Sequence, residues 1–259
     1  MRILSVLLSM VAWWILPFTM SHASQPLKVV VGIKPIHSLT TALMDGIAKP
    51  ELLVDGSTIP YDYVLSVQKQ KLVSNADLVI YSGASLEPSL ASYLKTLDNP
   101  PKTFEILASD RIKVLPSRYK KDIPDPYFWL DVRNVELLIN TISKRLGELD
   151  PQRVGEYEIN RRKLSLKITR LERELEYKYR DVSWLSGYLY HDTQYYFEQS
   201  YGFRNDGILS PSPKGDGKLD NMLTMIAKLS EKPGVCLFTE AGLSKKNLFL
   251  IPETADINI

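Results

Sequence analysis

The sequence predicts an α/β protein built on parallel sheets, and two patterns carry that prediction. Short apolar or β-branched runs recur at residues 28–33, 51–54 and 78–81, separated by segments with helical spacing. Strands alternating with helices of this length pack as parallel sheets with crossover helices. After Asp150-Pro151, a much longer amphipathic pattern begins.

The N-terminus has Arg2, an apolar stretch over 3–18 and a small-x-small ending at Ser21-His22-Ala23. That is the three-part layout of a secretory signal peptide over 1–23, with cleavage after Ala23. A membrane anchor is the competing reading, since the run approaches spanning length; Pro17 and the small-residue site favour cleavage. No Cys follows the run, so a soluble periplasmic protein is expected rather than a lipid-anchored one. Loss of 1–23 removes Arg2 and takes the net charge from +2 to +1, which gives no basis for a nucleic-acid partner.

The first lobe is expected over 24–148. Its opening run is bounded by Pro35, after which Leu39, Leu43 and Met44 recur at helical spacing. Ser66 precedes Val67, Gln70, Lys71 and Val73 and suits an N-cap, because its hydroxyl accepts from free backbone donors. Residues 99–125, rich in Pro and Lys and without His, read as a loop. Asp150 then suits an N-cap and Pro151 a first helical position. From Val154 to Tyr179 apolar residues recur every three or four positions, and Glu158–Arg162 and Glu174–Lys178 add favourable i,i+4 pairs. The pattern gives one helix of about 29 residues, about 43 Å long at 1.5 Å per residue. Spacing alone fits a coiled-coil segment equally well.

A second lobe is expected over 181–259, with strands at 188–190, 235–238 and 248–251 and a Pro- and Gly-punctuated turn at 210–217. Cys236, the only Cys, lies in the apolar run 235–238 and is expected as a buried thiol. A single Cys excludes an internal disulfide, so packing must supply the stability. No internal repeat is evident.

Three segments carry the functional signal. His191 ends the run Tyr188-Leu-Tyr-His191 and is followed by Asp192 and an aromatic-rich stretch through Tyr201-Gly202. In open α/β sheets ligands bind beyond the carboxyl ends of strands, where this residue falls. Pro60-Tyr61-Asp62-Tyr63 and Asp125-Pro126-Tyr127-Phe128-Trp129-Leu130-Asp131 have the same placement.

Together, and in this order, the three segments resemble those of the zinc and manganese substrate-binding proteins of bacterial ABC importers. The resemblance runs from Val29 to the last residues. It implies two (βα)-type lobes joined by one long α-helix, residues 149–180, which settles the choice against a coiled coil. It also implies a metal ion captured between the lobes as transported ligand, an ABC permease in the inner membrane as partner, a monomer, and no organic cofactor. In that family the segments usually read Pro-His-Asp-Tyr, Asp-Pro-His-x-Trp-Leu-Asp and His-Asp, each His being a ligand. Here His191 keeps its position, whereas Tyr61 and Tyr127 replace the other two. The family's fourth ligand is a carboxylate in a later Leu-Asp-Pro segment; this sequence reaches Asp256-Ile-Asn-Ile259 without it, which leaves truncation of the second lobe open.

Two further candidates follow strand ends, Glu240 after Phe238-Thr239 and His37 after the first strand, and His37, His191 and Glu240 are expected to face one crevice. Zinc favours four ligands drawn from imidazole, thiolate and carboxylate. Phenol is a poorer choice: with a pKa of about 10, each phenolate costs about 4 kcal/mol near neutral pH. Zinc is the cargo implied by resemblance, with manganese and ferric iron as alternatives, the last matching phenolate oxygen best. A second alternative is a degenerate relative whose cleft takes a partner protein or organic ligand. An enzyme is not expected, since the sequence has no His-Glu-x-x-His, Gly-x-Ser-x-Gly or phosphate-cradling glycine loop.

Overall fold

The computed structural model describes residues 25–56, 58–182, 186–210, 219–231, 234–240 and 257–258. The expected signal peptide, the turn at 211–217 and the strand at 248–251 lie outside the described residues. Two four-stranded, wholly parallel sheets form the framework. The first contains β1 (Val29–Ile33), β2 (Glu51–Val54), β3 (Leu78–Tyr81) and β4 (Lys102–Glu105) in the order β2-β1-β3-β4. The second contains β5 (Ser186–His191), β6 (Arg204–Ser210), β7 (Val235–Phe238) and β8 (Ile257–Asn258) in the order β6-β5-β7-β8. Both sheets are therefore wound the same way, although no sequence repeat announces it.

β1 and β3 are central and buried along their whole length, as a parallel sheet covered on both faces requires of Val-Val-Val-Gly-Ile and Leu-Val-Ile-Tyr. The edge strands were harder to read. β4 lies inside the stretch expected as a loop: Lys102 and Thr103 are exposed and only Phe104 is buried, so a continuous apolar signal is missing. β6 begins Arg-Asn-Asp and buries only its last two residues, Leu209 and Ser210.

The long helix α5 (Val154–Val182) follows α1 (Lys34–Leu43), α2 (Val67–Ser74), α3 (Pro88–Leu94) and α4 (Val132–Leu149). Ser66 caps α2 as expected, its Oγ accepting from the Lys69 N–H at 3.3 Å. Asp150 behaves differently. A 3₁₀ turn over Pro151–Arg153 precedes α5, and the Asp150 carboxylate accepts from Arg153 Nη1 at 2.7 Å and Tyr157 Oη at 3.2 Å instead of capping the backbone. Both expected ion pairs form, Glu158–Arg162 at 2.8 Å and Glu174–Lys178 at 2.7 Å.

α5 bridges the two sheets. Its first half packs on α1 and α4 through Tyr157, Asn160 and Ile168, and Asn160 Nδ2 donates to the carbonyls of Leu43 and Asp45. Near its end Tyr179 packs edge-on against Phe197 of α6 (Tyr195–Tyr201), with centroids 5.1 Å apart. α6 is itself tied to the first lobe: Tyr196 is buried in that core, and its hydroxyl accepts from the Leu115 N–H at 2.8 Å and donates to the Asp125 carbonyl at 3.2 Å.

The second core is smaller among the described residues and gathers Tyr188, Tyr190, Leu209 and Leu237 with Met222, Ile226 and Leu229 of α7 (Leu219–Ser230). Cys236 is exposed, contrary to expectation. Successive strand residues face opposite sides, and Leu237 takes the buried one, so Cys236 and Phe238 turn outward. Among the described residues no helix is long and apolar enough to cross a membrane.

Candidate metal-binding cleft

A cavity of about 200 Å³ lies at the carboxyl ends of strands from both sheets. Ile33 ends β1, Val54 ends β2, His191 ends β5 and Glu240 stands two residues beyond β7; all four line it. Tyr61, Tyr127 and Trp129 complete the wall from the first lobe.

Local chain geometry fixes the two phenols. Pro60 opens a 3₁₀ turn, Pro60–Asp62, that presents Tyr61. Tyr127 precedes a second such turn, Phe128–Leu130, which is anchored by the fully buried Phe128 ring. The Asp125 carboxylate accepts from the Tyr127 N–H at 2.9 Å, an Asx-type bond that sets the entry to this turn. The two hydroxyls share a hydrogen bond of 2.8 Å. Burial pushes both phenols well above the ordinary tyrosine range, and the nearby carboxylates of Asp125 and Glu240 push the same way. Without a cation in the cleft, forming phenolates here is thus harder than in water. Burial likewise raises the Asp125 carboxyl to about 7, partly offset by the Tyr127 N–H.

The opposite wall is an imidazole–carboxylate pair. His191 is 3% exposed, and its Nδ1 lies 2.9 Å from Glu240 Oε2. A carboxylate accepts, so Nδ1 carries the hydrogen, which leaves Nε2 as the ring nitrogen available to a ligand. Nε2 is buried and has no hydrogen-bond partner among the described residues. This is the arrangement by which an outer carboxylate fixes the tautomer and orientation of a metal-binding imidazole. Glu240 is positioned to orient His191, a role that sequence could not distinguish from direct ligation.

His37 does not join them. α1 starts directly after β1, and one turn into it His37 Nε2 is 2.9 Å from the Pro50 carbonyl, in a separate surface cleft beside Asn160 and Lys163. The expected His37–His191–Glu240 grouping is not assembled, because proximity to a strand end ignored the rotation of the helix that follows. Among the described residues no group of three or more His, Cys, Asp or Glu is placed to hold an ion.

Two neighbours of the cleft escaped the sequence reading. Lys34, the first residue of α1, lies on the cavity rim. Arg118, from the Pro-rich loop, bonds the carboxylate of Asp192, next to His191, with one contact at 2.9 Å, and Glu198 at 2.6 Å, and its guanidinium lies 4.4 Å over the Tyr195 ring. These carboxylates hold the Arg118 pKa above its ordinary value against the effect of burial. With the Tyr196 bonds, Arg118 clamps the second lobe to the first beside the cleft.

The family model described as zinc-uptake complex component A, periplasmic, matches residues 29–256. The chain belongs to that family. Its members serve metal transport as substrate-binding components and are not enzymes. The chain is 24% identical to the high-affinity zinc uptake system protein ZnuA of Brucella abortus, the match covering 87% of this chain and 80% of the relative. It is 24% identical to the manganese ABC transporter substrate-binding lipoprotein PsaA of Streptococcus mitis, over 92% and 79%. For the iron ABC transporter substrate-binding lipoprotein MtsA of Streptococcus pyogenes the identity is 25%, over 93% and 80%. The fold matches a crystal structure of ZnuA with a TM-score of 0.77 at 22% identity, over 90% and 89% of the two chains. It also matches the periplasmic zinc binding protein TroA from Treponema pallidum with a TM-score of 0.75 at 19% identity, over 89% and 83%.

Proposed function

We propose that this protein is the periplasmic substrate-binding component of a metal ABC importer, taking an ion into the cleft at His191 and delivering it to an inner-membrane permease. The observation that carries the reading is His191 itself: a buried imidazole at a strand end, with Nδ1 held by Glu240 and Nε2 without a partner. A buried polar atom in that state costs about 1–3 kcal/mol, which a bound cation would relieve. Names borne by the relatives, zinc, manganese and iron, support a metal as cargo.

On this reading residues 1–23 are a signal peptide cleaved after Ala23, residues 24–148 and 181–259 are the lobes, and 149–180 is the spine between them. The protein acts as a monomer. His191 supplies the imidazole ligand, Glu240 orients it and offers carboxylate oxygen, and Tyr61 and Tyr127 offer neutral hydroxyls at the replaced ligand positions. Neutral phenols are weak donors to zinc, so the affinity for bare zinc is lower than a three-imidazole site would give. Metal analysis of protein purified from the periplasm tests the proposal. Near-stoichiometric zinc, manganese or iron, lost in His191→Ala, supports it; metal-free protein whose melting temperature none of these ions raises would refute it.

A further inference from the structure

We propose that the cleft takes its metal together with a small chelating carboxylate, an α-amino or α-hydroxy acid that completes the coordination sphere. This rests on the metal-cargo reading and specifies the form in which the cargo binds.

The first ground is the donor set: zinc sites use four ligands, and among the described residues His191 and Glu240 are the imidazole and carboxylate lining the cavity, while the two phenols are bonded to each other. Charge favours the same ligand: among the described lining residues, a divalent ion and the Lys34 ammonium outweigh the carboxylate of Glu240 beside largely apolar walls, and a bound monoanion reduces that excess.

Space is the second ground. At about 200 Å³ the cavity far exceeds the ~10–15 Å³ that on the same measure admits one water, and is more than an ion needs. Ile33, Val54, Leu86 and Trp129 offer apolar surface for the body of an organic ligand.

The third ground is an anion site on the rim. α1 begins at Lys34 with Pro35 in its first turn and has no side-chain cap, so free backbone N–H groups and the positive end of the helix dipole lie beside the cavity. The Lys34 ammonium adds a full charge there: it crosses the rim at Gly56, where it would lie 3.1 Å from an added Cβ. A carboxylate bridging from the ion toward Lys34 satisfies both ends. The amino or hydroxyl group on its α-carbon closes the chelate ring on the metal.

Calorimetric zinc titration at buffered free zinc, with and without millimolar L-leucine or L-lactate, tests this, with native mass spectrometry to count what is bound. The expected result is zinc binding at least about tenfold tighter with one of the acids, with the acid tightened reciprocally by zinc, and a complex of protein, one zinc and one acid. The enhancement falls in Lys34→Met and persists in Lys34→Arg. Zinc binding unchanged or weakened by both acids, without a ternary complex, overturns the inference and leaves the metal reading standing. No zinc binding in any arm overturns both.

Discussion

The two walls of the cleft solve the same problem with opposite chemistry. The first lobe presents Tyr61 and Tyr127, two buried hydroxyls bonded to each other and held neutral. The second presents His191 and Glu240, a basic nitrogen and a charge-bearing carboxylate. If the cleft holds an ion as proposed, its donor strength is concentrated on the second wall, while the first keeps the shape of the cleft. Beside that wall Glu87, buried near Pro60 and Tyr63 with its Oε2 accepting from the Ser82 N–H at 2.6 Å, has its carboxyl raised to about 7 by burial.

The largest change comes from making the walls alike. Tyr61→His with Tyr127→His would supply three imidazoles, and zinc affinity should rise by more than roughly 100-fold, beyond the 10–100-fold that outer-shell partners alone command; calorimetry measures it, and an unchanged affinity would mean that these positions do not face the ion. Next in size is the clamp. Arg118→Ala leaves Asp192 and Glu198, with side chains 6% and 10% exposed, without their cation. Arg118 itself is partly exposed, so the loss is that of unsatisfied acceptors, about 1–3 kcal/mol, to be read as a lower urea midpoint.

Glu240→Gln probes the second wall by itself. The amide can present its NH₂ to His191 Nδ1 and no longer fixes the tautomer that frees Nε2, so metal affinity should fall roughly 10–100-fold while the melting temperature of the metal-free protein changes little.

The smallest effect concerns pH. Glu87 has a folded-state pKa above its unfolded value, so the unfolded chain loses that proton first. The stability Glu87 contributes is complete below about pH 4.5 and is lost as pH rises to about 7. Relative to Glu87→Gln, the wild type should lose on the order of 1 kcal/mol between pH 5 and pH 8. A wild type that gains relative to the variant would mean the carboxyl is not held neutral.

How much the sequence revealed depended on whether each signal was local. β1 and β3 were legible because strands buried on both faces leave unbroken apolar runs, and α5 because its ion pairs and apolar stripe repeat along one helix. β4 and β6, at sheet edges, mix exposed polar residues with few buried ones and left no such trace. His191 was legible from its strand and its motif, and Glu240 from its strand end, but their bond joins residues 49 positions apart. The clamp at Arg118 spans 74 and 80 positions, and no local pattern encodes it. His37 shows the converse, a local signal that the direction of one helical turn overrode.

On the proposed reading, His191 Nε2 is the imidazole donor to the cargo ion while the phenol pair stays protonated. Zinc-edge X-ray absorption on the loaded protein tests it most directly. A nitrogen–oxygen shell with a single imidazole, which vanishes in His191→Ala, is the predicted result. A spectrum without imidazole, or one whose imidazole signal survives that substitution, would contradict it.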